Sequence, residues 1–176
     1  MASRRDVLIM LGVGLAAATA GVVLAPRLGH PPAGSEIAAL RGARLTGLDG
    51  QPARLDALNQ HILVCNFWAT WCPPCVEEIP ALMRVRESYK ARNVEFVGIA
   101  IDQAAKVREF ATKLAISYPV FLADGSGIEL VRTLGNPSGG LPFTLVFDRS
   151  RQVAARKLGA LSEQEMARML DQALAS

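Results

Sequence analysis

The sequence predicts an α/β protein, because short apolar strands alternate with stretches of helical spacing. Strands are predicted over residues 61–68 and 94–101, since both runs are short and almost continuously apolar. Apolar residues at helical spacing follow each strand, over 76–91 and 104–114. A hairpin over 144–157 ends this alternation, so we expect an antiparallel edge on the sheet.

Smaller elements are predicted on either side of this core. Asp49-Gly50 is typical of the turn between two short strands, so residues 45–55 are predicted as an N-terminal hairpin. The last helix is predicted to begin at Ser162, because Ser162 and Glu165 have the spacing of a capping box. Between the core and the closing hairpin we expect a strand over 118–122 and, after a turn, a helix within 124–134.

The N-terminal segment has the pattern of a bacterial export signal. Arg4 and Arg5 precede an uncharged run over residues 7–25 that is rich in Gly and Ala. The paired arginines resemble a twin-arginine signal, and an ordinary secretory signal is the alternative. A run of this length also suffices to span a bilayer, which takes about 17–25 residues. Residues 1–25 are therefore predicted to be either a cleaved signal or a membrane anchor, with the rest of the chain in the periplasm.

The rest of the chain is predicted as a linker over residues 26–40 and one domain over residues 41–176. The linker is predicted from its Pro and Gly residues. A net charge of +3 is too small to indicate a nucleic-acid partner, and the basic residues form no stripe. Three cysteines, of which two share one C-x-x-C, do not make a structural disulfide framework.

The most informative segment is Trp71-Cys72-Pro73-Pro74-Cys75, between a predicted strand and a predicted helix. A C-x-x-C at such a junction is typical of thiol–disulfide exchange. Because a helix N-terminus stabilises a thiolate, Cys72 is predicted to be exposed and nucleophilic, and Cys75 to lie deeper and act second. The two prolines fix φ and remove N–H donors beside the sulfurs. Trp71 is predicted to shape the surface around them.

These residues carry a resemblance to a known family. The residues that match are 66–75 (NFWATWCPPC), 77–80 (EEIP), 140–142 (GLP) and Asp49-Gly50. With them the chain resembles the TlpA/ResA-like thiol–disulfide oxidoreductases of the thioredoxin superfamily, from about Leu45 to Leu174. The resemblance implies a thioredoxin-like fold with an N-terminal β-hairpin and a central strand–helix insertion, here preceded by the export signal or anchor helix.

The resemblance also assigns roles to residues away from the cysteines. Asn66 stands where thioredoxin has a buried Asp, so Glu78 is expected to exchange the proton of Cys75 in its place. Pro142 is expected to have a cis peptide bond and to bring its loop against the sulfurs. Leu141, just before it, would then pair with a substrate backbone.

The function implied is that of an exported reductant. It would receive electrons from a membrane thiol transporter and reduce disulfides in client proteins such as apocytochrome c, as a monomer without a cofactor. The opposite direction of electron flow, a disulfide-forming oxidase, is the first alternative.

Three less favoured alternatives concern other chemistry at the same cysteines. A peroxidase would need Thr three residues before its cysteine, whereas Thr70 lies two residues before Cys72. A copper metallochaperone would use a wider cysteine spacing and a histidine. A zinc site needs four ligands, and His30 and His61 are the two histidines of the chain. We therefore expect no bound metal.

Overall fold

The computed structural model describes residues 34–53, 55, 62–123 and 125–175. The predicted signal or anchor lies outside these residues, as do both histidines and residues 26–33 of the predicted linker. Among the described residues, no helix is long and apolar enough to cross a membrane. The elements are α1 (Ser35–Gly42), β1 (Leu45–Gly47), β2 (Ile62–Trp68), α2 (Pro73–Tyr89), β3 (Val94–Ala100), α3 (Ala104–Lys113), β4 (Val120–Ala123), α4 (Gly127–Thr133), β5 (Phe143–Phe147), β6 (Val153–Leu158) and α5 (Glu163–Ala175).

The strands form one six-stranded sheet in the order β1-β4-β3-β2-β5-β6. The central strands β4, β3 and β2 are parallel. Strands β5 and β6 add to them in antiparallel fashion on one side, and β1 pairs antiparallel with β4 on the other. The predicted α/β alternation and the predicted antiparallel edge are both confirmed.

The N-terminal hairpin is present in a shortened form. Gly50 has a φ of +83°, the left-handed conformation that the turn requires of its glycine. The returning segment contacts β1 through an isolated bridge between Thr46 and Pro52, with backbone hydrogen bonds from Gly47 N to Gln51 O (2.7 Å) and from Ala53 N to Leu45 O (2.9 Å). Strand β1 then pairs with β4, which belongs, with α4, to the predicted central insertion.

Helices cover both faces of the sheet. Successive residues of a strand point to opposite faces, so β2 contributes Val64 to one core cluster and Leu63 to the other. The first cluster packs against α2, α3 and α5, through residues such as Ile79 and Leu170. The second cluster packs against α1 and α4, through residues such as Leu130. Burial on both faces explains why β2 is an almost continuous apolar run.

The sequence analysis did not predict helix α1. Residues 35–40 were expected to be linker, but they are helical and belong to the domain. Leu40 is fully buried in the second core cluster, and Glu36 forms an ion pair of 3.1 Å with Arg156 on β6. This part of the linker prediction is wrong because α1 is too short to show a helical period beside a Pro- and Gly-rich stretch.

Two helix starts follow directly from local chemistry. Helix α2 begins at Pro73, earlier than the predicted residue 76, because proline fits the first helical turn, where no N–H partner is needed. The predicted capping box of α5 is confirmed. Glu165 N donates to Ser162 Oγ at 3.2 Å, and Ser162 N donates to Glu165 Oε2 at 3.0 Å. Hydrogen bonds from Ser162 and contact with Lys157 lower the pKa of Glu165 to about 2.

Candidate active site

The C-x-x-C lies at the carboxyl end of β2, where the chain turns into α2. Cys72 is the N-cap of this helix and has an extended backbone, with φ −104° and ψ 97°. Its carbonyl accepts hydrogen bonds from the backbone N–H groups of Cys75 (3.1 Å) and Val76 (3.2 Å). The first turn of α2, with its positive dipole end, is therefore directly beside the Cys72 side chain, where it stabilises a thiolate.

The two cysteines form a disulfide. Their Sγ atoms are 2.05 Å apart and their Cα atoms 5.3 Å apart. Cys72 is only 5% exposed and Cys75 is fully buried. The expectation that Cys72 would be exposed is thus wrong, because the turn around Ala69 and the first turn of α2 pack it into the core cluster. Cys75 is the more deeply buried of the two, as predicted.

Exposed side chains surround the nearly buried Cys72. Trp71 is 62% exposed, which makes it one of the largest apolar groups on the described surface. Pro73 and Pro74 are also exposed, at the first two positions of α2. Trp71, which was predicted to shape the surface around the sulfurs, therefore faces solvent beside the disulfide together with the two prolines.

The loop before β5 reaches the same end of the sheet. The Leu141–Pro142 peptide bond is cis, as predicted. Phe143 pairs with Phe67 on β2, which places Pro142 level with Trp68, where the active-site turn begins. Leu141 is half-buried and contacts both core clusters, so this loop is held firmly at the mouth of the site.

Glu78 lies one helical turn after Cys75 and is buried, at 4% exposure. Glu78 is therefore not a solvated carboxylate, whereas its neighbour Glu77 is exposed. Its Oε1 accepts a hydrogen bond from Asn66 Nδ2 at 2.7 Å, and its Oε2 accepts one from Leu161 N at 2.8 Å. Residues three apart on a helix share a face, so Cys75 and Glu78 belong to the same buried region.

The surroundings of Glu78 tune its proton affinity. Burial raises the pKa of this carboxyl to about 6, against the opposing effect of its hydrogen bonds from Leu161 and Asn66. Both protonation states are then populated near neutral pH, which a group that accepts and returns a proton requires. Asn66 also donates to Thr144 Oγ1 at 3.0 Å, so the amide is anchored between β5 and α2.

Cys65 is a buried thiol on the other side of the sheet. It belongs to the second core cluster, whereas Cys72 and Cys75 belong to the first. Burial raises the pKa of the Cys65 thiol strongly, and the charge of Arg151 opposes this only in part. A buried thiol of this kind is unreactive, so Cys65 takes a structural role in the core.

Asp102 is a site residue that the sequence analysis missed. Its Oδ2 accepts hydrogen bonds from the Thr70 hydroxyl and, at 3.2 Å, from Thr70 N, while its Oδ1 accepts one from Gln103 N at 2.7 Å. These contacts fix the turn just before Cys72. The available signal was a short acidic side chain directly after β3, since the carboxyl ends of neighbouring parallel strands lie at the same edge of a sheet.

Comparison with known proteins agrees with this geometry. The family model that matches is Redoxin, over residues 32–174. Among curated proteins, the thiol-disulfide oxidoreductase ResA of Bacillus thuringiensis (strain Al Hakam) is 27% identical over 123 residues, which cover 69% of each chain. The thioredoxin-like protein YneN of Bacillus subtilis is 31% identical over 132 residues, which cover 72% of this chain and 74% of YneN.

Two solved structures have a fold similar to that of this chain. A thiol:disulfide interchange protein of the thioredoxin family from Chlorobium tepidum TLS superposes with a TM-score of 0.65 at 32% identity, over 73% of this chain and 90% of its own. A thioredoxin-related protein from Neisseria meningitidis serogroup B superposes with a TM-score of 0.67 at 31% identity, over 75% and 99%.

Proposed function

Because the chain belongs to the Redoxin family, as a ResA/TlpA-like thiol–disulfide oxidoreductase of the thioredoxin superfamily, we propose that it reduces protein disulfides outside the cytoplasm. The redox-active group is the Cys72–Cys75 pair. The observation that carries this proposal is the disulfide at the N-terminus of α2, three residues from a buried carboxyl with a pKa of about 6. That arrangement supplies both a nucleophilic sulfur and a proton acceptor for the second sulfur.

The reaction begins with the reduced protein. The Cys72 thiolate attacks one sulfur of a client disulfide, so a Cys72–client bond forms while the client's other sulfur leaves as a thiolate. The Cys75 thiol gives its proton to the Glu78 carboxylate and attacks Cys72 Sγ. The client's remaining sulfur then leaves as a thiolate. Two electrons have passed to the client, and the protein keeps the Cys72–Cys75 disulfide.

The residues around the sulfurs would bind the client. Trp71, Pro73 and Pro74 offer an exposed apolar surface beside Cys72. Leu141 and Pro142 lie at the same end of the sheet, where an extended client segment would pair with the loop backbone, as in strand addition. This placement brings a client disulfide to Cys72 without requiring a particular client sequence.

The cycle needs a donor that returns electrons to Cys72–Cys75. We assign this role to a membrane thiol transporter, and the clients include proteins such as apocytochrome c that need free thiols. Export by residues 1–25, as cleaved signal or as anchor, places the domain in the periplasm, with the domain acting as a monomer. Fusing these residues to a reporter that is active only after export tests the assignment, since a reporter retained in the cytoplasm would contradict it.

Cysteine variants test the exchange mechanism directly. Cys75→Ser removes the resolving thiol, so the reduced variant should accumulate a mixed disulfide with a disulfide-bonded client such as insulin. Cys72→Ser should form none, because the deeper thiol cannot start the reaction. Cys65→Ser is the matched control and should behave as the unaltered chain. Equal trapping by the Cys72→Ser variant would overturn the assigned order of attack.

A further inference from the structure

The sheet face beneath α2 carries a row of four residues in register. Thr144, Asn66, Gly98 and Val120 are paired neighbours on β5, β2, β3 and β4. Glu78 reaches this row from α2, because its carboxyl accepts a hydrogen bond from Asn66. Gly98 has no side chain, so the row leaves room for other groups directly beside Asn66.

Two large side chains converge over Gly98. Trp68 Nε1 lies 3.1 Å, and Tyr118 Cε2 3.2 Å, from the position that a Cβ at Gly98 would occupy. Both side chains are buried in the first core cluster. Trp68 also lies two residues after Asn66 on β2, so the two side chains point to the same face of the sheet.

Three buried polar atoms in this region lack a hydrogen-bond partner among the described residues. They are Asn66 Oδ1, Trp68 Nε1 and the Tyr118 hydroxyl. The Asn66 Nδ2 group already donates to Thr144 on the β5 side, so Oδ1, on the opposite side of the amide, faces the β3 side and Gly98. Buried polar atoms are normally paired with protein groups or ordered water. An indole donor, a hydroxyl and an amide acceptor together match the two to four partners of one buried water.

We propose that these three atoms bind one buried water, through which Tyr118 acts as a positioning residue for Glu78. The water accepts from Trp68 Nε1, exchanges a hydrogen bond with the Tyr118 hydroxyl and donates to Asn66 Oδ1. Fixing Oδ1 in this way fixes the amide, so that Nδ2 keeps donating to the Glu78 carboxylate. The inference deepens, and rests on, the proposed role of Glu78 as proton acceptor.

The charge of Glu78 also acts on Tyr118. Burial raises the pKa of Tyr118, and the negative charge of Glu78 raises it further, so the hydroxyl stays protonated as a neutral group. Among the described residues, the groups that donate hydrogen bonds to Glu78 are the Asn66 amide from β2 and the Leu161 N–H before α5. On its own helix it follows the Cys75 thiol, which titrates only after reduction. The network therefore supplies neutral donors that favour the carboxylate.

The test is the pKa of Glu78 in the oxidised full-length chain, in which Cys72 and Cys75 do not titrate. The carboxyl carbons of glutamate are labelled with ¹³C and followed by NMR against pH, and the Glu78→Gln variant identifies the Glu78 resonance. Tyr118→Phe keeps the ring and removes only the hydroxyl. We expect it to raise the Glu78 pKa by about one unit, a roughly tenfold rise in proton affinity, as weakening a hydrogen bond to a charged group would.

Tyr89→Phe is the matched control. Tyr89 lies on the same helix, but its hydroxyl donates to Asp171 on α5 at 3.0 Å, so its loss should leave the Glu78 pKa unchanged. An unchanged or lowered pKa in Tyr118→Phe would overturn the proposal. Should that variant not fold, Gly98→Ala crowds the same space, and the same upward shift is expected of it.

This result is separable from the proposed function. The titration uses oxidised protein without a client, so it reports on the network alone. The reduction of insulin by Glu78→Gln as a function of pH reports on the proton-acceptor role. If the Glu78 pKa does not change in Tyr118→Phe, the Tyr118 proposal is wrong. If Glu78→Gln at the same time clearly loses the pH dependence of insulin reduction, the proposed role of Glu78 as proton acceptor still stands.

Discussion

Glu78 is the residue whose chemistry depends most on where the fold puts it. In an unfolded chain it is an ordinary glutamate, whereas in the folded domain it is buried on α2 and hydrogen-bonded to Asn66 and Leu161. Burial raises its pKa from 4.5 to about 6. The folded state therefore holds the Glu78 proton more tightly than the unfolded state does, so protonated Glu78 favours folding relative to ionised Glu78.

This difference predicts a pH-dependent loss of stability. Stability from the protonated carboxyl is fully present below pH 4.5 and is lost as the pH rises through about 6. Relative to Glu78→Gln, the free energy of unfolding should fall by an amount on the order of 2 kcal/mol between pH 4 and pH 7. Urea unfolding of both proteins at several pH values measures this difference. If the free energy of unfolding of the two proteins changed with pH in the same way, burial would not have raised the pKa of Glu78.

The residues of the site were predictable where their chemistry is local. Cys72 and Cys75 were found from the C-x-x-C itself, whereas Pro142 was found through the resemblance of its short Gly-Leu-Pro loop to that of a known family. The partners of Glu78 were not, since Leu161 is 83 positions away from it. The burial of Cys72 was also missed, because it arises from packing of the turn at Ala69 and not from composition.

Helix α2 gives the three cysteines different reactivities. Cys72 is its N-cap, Cys75 lies buried within its first turn, and Cys65 lies on the other face of the sheet. In the reduced folded protein, Cys72 should therefore react first with iodoacetamide, because the helix N-terminus stabilises its thiolate. Cys65 should react only after unfolding, since burial raises its pKa.

Mass spectrometry of peptides after timed alkylation measures these rates. The unfolded protein in urea is the control, in which all three thiols should react at similar rates. Faster labelling of Cys75 than of Cys72 in the folded protein would contradict the assignment of Cys72 as the attacking sulfur.

Helix α1 belongs to the domain, although the sequence predicted a linker over part of it. Leu40 is fully buried against the second core cluster. Leu40→Ala should therefore lower the free energy of unfolding by about 2–5 kcal/mol, the usual cost of such a cavity. Leu158→Ala is the matched control, since Leu158 is 50% exposed, and it should cost well under about 1 kcal/mol. If Leu40→Ala lowered the free energy of unfolding no more than Leu158→Ala does, α1 would add little to the stability of the core.

At the scale of the whole molecule, the fold was the most predictable feature. Alternating strands and helices with a closing hairpin predict the sheet, because each element has a period or a length that the sequence shows directly. Pairing between β1 and β4 was not predictable, since Leu45 and Ala123 are far apart in the chain and neither segment specifies its partner. The fold brings the C-x-x-C helix, the Pro142 loop and Asp102 to one end of the sheet.

The direction of electron flow is a property of this whole arrangement. The helix dipole stabilises the Cys72 thiolate and so favours the reduced form of Cys72–Cys75. Burial of both sulfurs and of Glu78 has the opposite effect, because it disfavours a negative charge at this site. The proposed reductant role requires that the disulfide form remain the more stable product after a client has been reduced.

The most direct test is the reduction potential of Cys72–Cys75, measured by equilibrating the protein with glutathione or dithiothreitol at pH 7. The reductant role predicts a value near or below about −220 mV, towards the thioredoxin end of the known range. A value near about −120 mV, that of a strong periplasmic oxidant, would contradict it and make the protein a disulfide donor.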